Sequence, residues 1–197
     1  MKLVFFRRLE DFRELGRRRC FSLTPKAFYC GAMVFAILTP DGFLTLGVNR
    51  FPACFGRGGI SRHKAEGDGA TPAGVLPLRR VLYRADRVPP PRAACPIEPL
   101  SPEDGWCDDP VDPAYNRAVR LPYSGRHEEL WRSDGVYDLI GVLGWNDAPP
   151  LRDRGSAIFL HLTAPGRPPT AGCIALEFNH LRDVLANGLT GIEVVGG

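Results

Sequence analysis

Two residues in this chain are of types that can do covalent chemistry together. The apolar run Ser156-Ala-Ile-Phe-Leu-His161 ends on an imidazole, and Thr170-Ala-Gly-Cys173 follows a loop rich in Pro and Gly. An imidazole brought beside a thiol lowers its pKa, takes its proton and makes the sulfur a nucleophile. Gly172 lets the backbone approach a substrate closely, and the Gly172 and Cys173 amides can donate to an oxyanion on an attacked carbonyl. The competing reading makes Cys173 a small buried hydrophobe in a strand.

For the pair to meet, the strand carrying His161 must lie beside one carrying Cys173. Strand-like patterning covers 33–38, 43–48, 75–83, 137–143, 156–162 and 191–195, and Thr39-Pro-Asp-Gly42 reads as a hairpin turn between the first two. Phe178, Leu181, Val184 and Leu185 share one helical face over Phe178–Ala186, and Asn187-Gly188 stops that helix. With 22 Gly and 19 Pro, turns and strands are favoured over a helical bundle. The expected fold is mostly β: a single-domain β-sandwich or barrel-like core with one or two short helices. Residues 86–135, rich in Pro, Asp, Tyr and Trp, form a long irregular insertion laid over that core. Trp131 and Trp145 suit packing first and a substrate cleft second.

Composition narrows the function classes. Residues 1–26 hold eight Lys or Arg against three acids, so the overall +3 leaves the rest of the chain at −2. A nucleic-acid footprint on the body is therefore not expected. Residues 1–30 read as an atypical basic extension or leader, with the domain proper over 31–197. The apolar stretch 27–38 has the length of a signal-peptide core but lacks a small-residue cleavage site, and 33–38 reads better as a strand. No apolar run reaches about 18 residues, so no integral membrane segment is expected. The six cysteines show no CxxC spacing, which argues against a structural zinc site. Cys95 and Cys107 could pair in an oxidising compartment or stand as two thiols. His63, His127 and His180 read as exposed, solvated and structural, and Asp108-Asp109 as a turn before Pro110. The Gly-rich stretch Lys64–Gly74 is not a phosphate loop, because no Gly-Lys-Ser/Thr follows.

Three stretches together resemble the L,D-transpeptidase (YkuD-like) catalytic domain family over roughly residues 33–196. His161 with Thr170, Gly172 and Cys173 is similar to that family's strand-borne His followed by Ser/Thr-x-Gly-Cys. Lys64-Ala-Glu66-Gly67-Asp68-Gly-Ala-Thr71-Pro72-Ala-Gly74 resembles its Lys-x-x-Glu-Gly-Asp-x-x-Thr-Pro-x-Gly segment. Gly144-Trp-Asn146-Asp147 is similar to an Asn-Asp element ahead of the His strand in some branches.

The resemblance implies a peptidoglycan L,D-transpeptidase that forms an acyl-thioester on Cys173 from a stem tetrapeptide, releases D-Ala and passes the acyl group to an acceptor amine. His161 would be the base, and no cofactor or metal is implied. Peptidoglycan stem peptides would be the partners and the bacterial periplasm or cell envelope the location. Leu162, Ala171 and Ala175 depart from residues the family often carries, the last from an Arg that would suit a substrate carboxylate. Arg57, Lys64 and Arg167 are the candidates to supply that charge, with Thr170 and Asn146 as further substrate contacts. The rival readings are an L,D-carboxypeptidase or amide hydrolase at the same site, and a non-catalytic peptidoglycan-binding module. A thiol redox protein is disfavoured by the lack of a nearby resolving cysteine.

Overall fold

The computed structural model describes residues 33–197, so the reading of residues 1–30 as an extension or leader lies outside the described residues. In chain order the elements are β1 (Phe35–Thr39), β2 (Phe43–Leu46), β3 (Asn49–Pro52), β4 (Ile60–Ser61), β5 (Thr71–Pro72), β6 (Gly74–Tyr83) and β7 (Ile97–Pro99). There follow β8 (Asp104–Cys107), β9 (Arg117–Arg120), β10 (His127–Glu129), β11 (Leu139–Leu143), β12 (Phe159–Leu162), β13 (Ile174–Leu176), α1 (Phe178–Ala186) and β14 (Gly191–Val194).

The main sheet runs β13-β12-β11-β6-β14-β1-β2-β3, with β7 added beside β6. Just past β3, Cys54 exchanges both backbone hydrogen bonds with Ala175 of β13, at 2.9 and 2.8 Å. That link joins the two ends of the sheet, so the architecture is a nearly closed barrel rather than a two-sheet sandwich.

Period-two alternation sorts the side chains of the barrel wall. Ile158, Leu160 and Leu162 point into the main core, as do Ile174 and Leu176 on the neighbouring strand. Helix α1 adds Leu181, Val184 and Leu185 to the same core. Burying each of these side chains stabilises the fold by about 2 kcal/mol. The helix ends where expected: Asn187 N–H donates to Asp183 O, and Gly188 takes φ +82.

The insertion is more ordered than its composition suggests. It builds a three-stranded sheet, β10-β8-β9, with Trp106 opposite Glu128 on one side and Ala118 on the other. Its apolar residues Leu100, Trp106 and Leu130 form a second core with Ile140, Val142 and Phe159 from the outward face of the barrel. Strand β11 is therefore buried at every position, which explains its continuous apolar run. Strands β9 (Arg-Ala-Val-Arg) and β10 (His-Glu-Glu) carry no alternation from which they could be read. Cys95 and Cys107 stand as separate thiols rather than a disulfide.

Candidate active site

Strands β12 and β13 pair in parallel, with His161 opposite Ala175. Because Leu160 and Ile174 point inward, His161 and Cys173 both project from the outer face, diagonally across adjacent strands. Both are buried, at 8% and 9% exposure. They lie in the wall of a cavity of about 470 Å³ that also includes Arg57, Lys64, Glu128 and Tyr137.

Backbone groups hold the thiol. Its S–H donates to Ala157 O at 3.2 Å, and Phe159 N–H donates to the sulfur at 3.3 Å. His161 Nδ1 lies 2.8 Å from Leu162 O. A carbonyl can only accept, so Nδ1 carries the proton and Nε2 is left with the lone pair. Tyr137 stacks edge-on against His161 at 5.2 Å between centroids and against Phe159 at 6.0 Å, which restricts the imidazole.

Burial dominates the electrostatics. It pushes the Cys173 thiol up to about 12, with the Glu128 carboxylate adding in the same direction and the Phe159 N–H opposing. It pushes His161 down to about 4, against the raising effect of the Leu162 carbonyl. The resting pair at neutral pH is thus a neutral thiol beside a neutral imidazole, not a thiolate–imidazolium pair.

The lowered His161 also links stability to pH. The unfolded chain takes up this proton near 6.5, the folded one only near 4. Stability from the neutral imidazole is complete above 6.5 and is lost as pH falls from 6.5 toward 4, by about 3 kcal/mol in all. Denaturant unfolding at pH 7 and pH 4.5 should show this loss in the unmutated protein and a smaller one in His161→Gln. Equal acid sensitivity in the two proteins would remove the assignment.

The Gly-Cys turn is built from several directions. Gly172 sits at φ +141, and a Cβ there would meet Ala70 O at 3.0 Å, so only glycine fits without strain. Thr170 Oγ1–H donates to Cys173 O at 2.6 Å, and the same oxygen accepts from Gly172 N–H at 3.1 Å. Thr170 is therefore a brace of the turn, and the Gly172 amide is already engaged. Thr71, fully buried, donates to Gly172 O at 2.8 Å and accepts Gly56 N–H at 2.9 Å. Thr71 of the Lys64–Gly74 stretch thus supports the turn that carries Cys173.

The basic candidates separate. Arg57 is exposed on the cavity wall, with its stem across Gly69. Lys64 also borders the cavity, but its buried ammonium is bonded to Asp68 Oδ1 at 2.6 Å and Ala65 O at 2.7 Å. Asp68 also accepts from the Ala65 and Ala70 amides, so this ion pair ties a turn together. Arg167 is not among the residues lining the cavity; its guanidinium lies 3.4 Å from Glu177. Asn146 is not there either. Its side chain clamps its own loop, donating to Leu151 O and Gly155 O and accepting Leu151 N–H. Both were proposed from sequence as substrate contacts; neither lines this cavity, Asn146 being held in its own loop and Arg167 facing Glu177 at the start of α1.

Sequence reasoning missed several residues. Asn116 is buried, adopts φ +57, and joins four groups. Its Oδ1 accepts Trp106 Nε1–H at 3.0 Å and Ala157 N–H at 3.1 Å, and its Nδ2 donates to Trp145 O and Asn146 O. It sits in the insertion, where no periodicity marks it. His127, expected to be solvated, is half-buried on β10 and lines the cavity beside Glu128. Trp131 lies under the Arg84 guanidinium, 3.6 Å from centroid to carbon, and Trp145 Nε1–H donates to Arg154 O, so both serve packing. No group of three or more His, Cys, Asp or Glu is arranged to hold a metal among the described residues.

A family model of the L,D-transpeptidase catalytic domain, YkuD, matches residues 40–195. The chain belongs to this family. Among solved structures, Mycobacterium tuberculosis L,D-transpeptidase 1 is similar at 13% identity and a TM-score of 0.38, over 83% of this chain and 62% of that one. The chain thus spans less than two thirds of that protein's length. No curated protein matches. No helix among the described residues of this L,D-transpeptidase-family chain is long and apolar enough to cross a membrane.

Proposed function

We propose that residues 31–197 form the catalytic unit of a peptidoglycan L,D-transpeptidase acting in the bacterial cell envelope, with Cys173 as nucleophile and His161 as base. The observation that carries this reading is that Cys173 and His161 project from the same face of paired strands into one cavity, in a chain of this family. The neutral resting pair dictates the order of events. As Sγ attacks the carbonyl of the stem peptide, its proton passes to His161 Nε2. The tetrahedral oxyanion draws on the Cys173 N–H, for which no acceptor is found among the described residues. The Gly172 N–H would have to leave Thr170 Oγ1 to assist. Collapse expels D-Ala, whose amine takes the proton from His161, and leaves an acyl-thioester on Cys173. An acceptor amine then resolves the thioester. Arg57 is the cavity cation best placed to hold a substrate carboxylate.

Intact-protein mass after mixing with a stem tetrapeptide tests this reading. A covalent adduct lacking the terminal D-Ala is expected on the unmutated protein and none on Cys173→Ala. A folded, unmutated protein that gains no adduct and releases no D-Ala would refute it.

A further inference from the structure

The cavity wall includes three carboxylates, Glu66, Asp108 and Glu128, and in each only one oxygen accepts side-chain hydrogen bonds among the described residues. Glu66 Oε2 accepts hydroxyl hydrogen bonds from Tyr115 at 2.5 Å and Ser156 at 2.8 Å, and Asp108 accepts Arg126 Nε–H at 3.0 Å. Glu128 Oε1 accepts the Tyr137 hydroxyl at 2.6 Å and lies 3.9 Å from Arg132 Nη1, while Oε2 accepts no hydrogen bond among the described residues. Its side chain is 29% exposed. Strand β10 fixes it opposite Trp106, whose indole packs edge-on against Phe159, and Phe159 N–H holds the Cys173 sulfur. Tyr137 bridges the same distance by a second route, with its hydroxyl on Glu128 and its ring against His161. Arg132 does not neutralise the carboxylate closely, because its guanidinium is committed to Asp134 at 3.1 and 3.2 Å from Nε.

We infer that Glu128 is the acceptor-side base of this site, binding the ammonium of the acceptor and taking its proton before attack on the Cys173 thioester. This inference rests on the acyl-transfer reading above and deepens it. An amine in neutral water is an ammonium with no lone pair, so a site selective for amine over water must remove a proton from it. His161, neutral in the acyl-enzyme, can carry only one proton, the one that must pass from the attacking nitrogen to the departing sulfur, so the ammonium's extra proton needs a second base. The balance closes with two bases. Glu128 carboxylate takes one proton from the ammonium, and the freed amine nitrogen bonds to the thioester carbonyl carbon. The nitrogen's second proton passes through His161 to Sγ as the C–S bond breaks. An amide and a Cys173 thiol result, and Glu128 releases its proton to solvent. Burial raises the Glu128 pKa, with the Tyr137 hydroxyl and Arg132 opposing, which makes the carboxylate a stronger base than one in water.

The experiment isolates the acyl-enzyme by rapid desalting and follows its partition between aminolysis and hydrolysis in Glu128→Gln, Glu128→Asp and the unmutated protein. Two nucleophiles are compared: a stem peptide bearing an ordinary amine, protonated at pH 7, and methoxyamine, which is already neutral there. Glu128→Gln should lower aminolysis by the peptide amine at least tenfold relative to hydrolysis, without a matching fall for methoxyamine. Glu128→Asp should recover part of the loss. Equal falls with both nucleophiles would make Glu128 merely structural, and no fall would leave it without a role; either overturns the inference. An unmutated protein that forms no acyl-enzyme would instead refute the acyl-transfer reading itself.

Discussion

Acylation of the His161→Gln variant by a stem tetrapeptide is expected to be about 10³-fold slower than that of the unmutated protein at pH 7, with a different dependence on pH. The reason lies in the two opposed shifts. With the thiol raised to about 12 and the imidazole lowered to about 4, His161 is available as a neutral base above pH 5. The unmutated rate should therefore be flat from about pH 5 to 9. Without the base, reaction must wait for spontaneous thiolate, about one molecule in 10⁵ at pH 7, and the rate should climb about tenfold per pH unit. Single-turnover adduct formation followed by mass from pH 5 to 9 separates the two. Parallel profiles would show that His161 does not take the thiol proton.

The second large effect is on folding and comes from a residue outside the cavity wall. Asn116→Ala is expected to cost about 3 kcal/mol or more, measured by denaturant unfolding, and to slow acylation as well. Its carboxamide satisfies all four of its hydrogen-bonding positions in a buried setting, and each orphaned partner costs about 1–3 kcal/mol. The acylation effect follows from Ala157, whose N–H is held by Asn116 and whose carbonyl accepts the Cys173 S–H. Ala157 itself sits at φ +51, so this stretch is held against its own preference and should relax when the clamp goes. Asn116→Asp keeps the two acceptor contacts but turns a carboxylate oxygen onto the Trp145 and Asn146 carbonyls, so it should be no more stable than Asn116→Ala. Unchanged stability in Asn116→Ala would show that water replaces the carboxamide.

Legibility from sequence followed the strength of local periodicity. Strands β1, β2, β6, β11, β12 and β14 and helix α1 were readable within a few residues, because one buried face imposes a repeat of two or 3.6. Strand β12 starts later than the apolar pattern does, at Phe159, because Ala157 turns the backbone to positive φ first. Strands β3, β8, β9 and β10 were not read, since three or four residues with mixed polarity hold no period.

What the sequence by itself determined was the family, a mostly β fold and a thiol and an imidazole set close together in the chain with a glycine before the thiol. What only the tertiary structure decided was which polar residues stand in the cavity. Arg167 and Asn146 look as suitable as Arg57 in one dimension, yet neither lines the cavity. Glu128 and Asn116 carry no local signal, yet the insertion folds back and places Glu128 in the cavity wall and Asn116 on Ala157, whose carbonyl accepts the Cys173 S–H. The physical reason is the range of the interactions. Alternation and turn chemistry act between neighbours in sequence, whereas desolvation of Cys173 and His161, and the choice of hydrogen-bond partners, depend on which distant segments cover them.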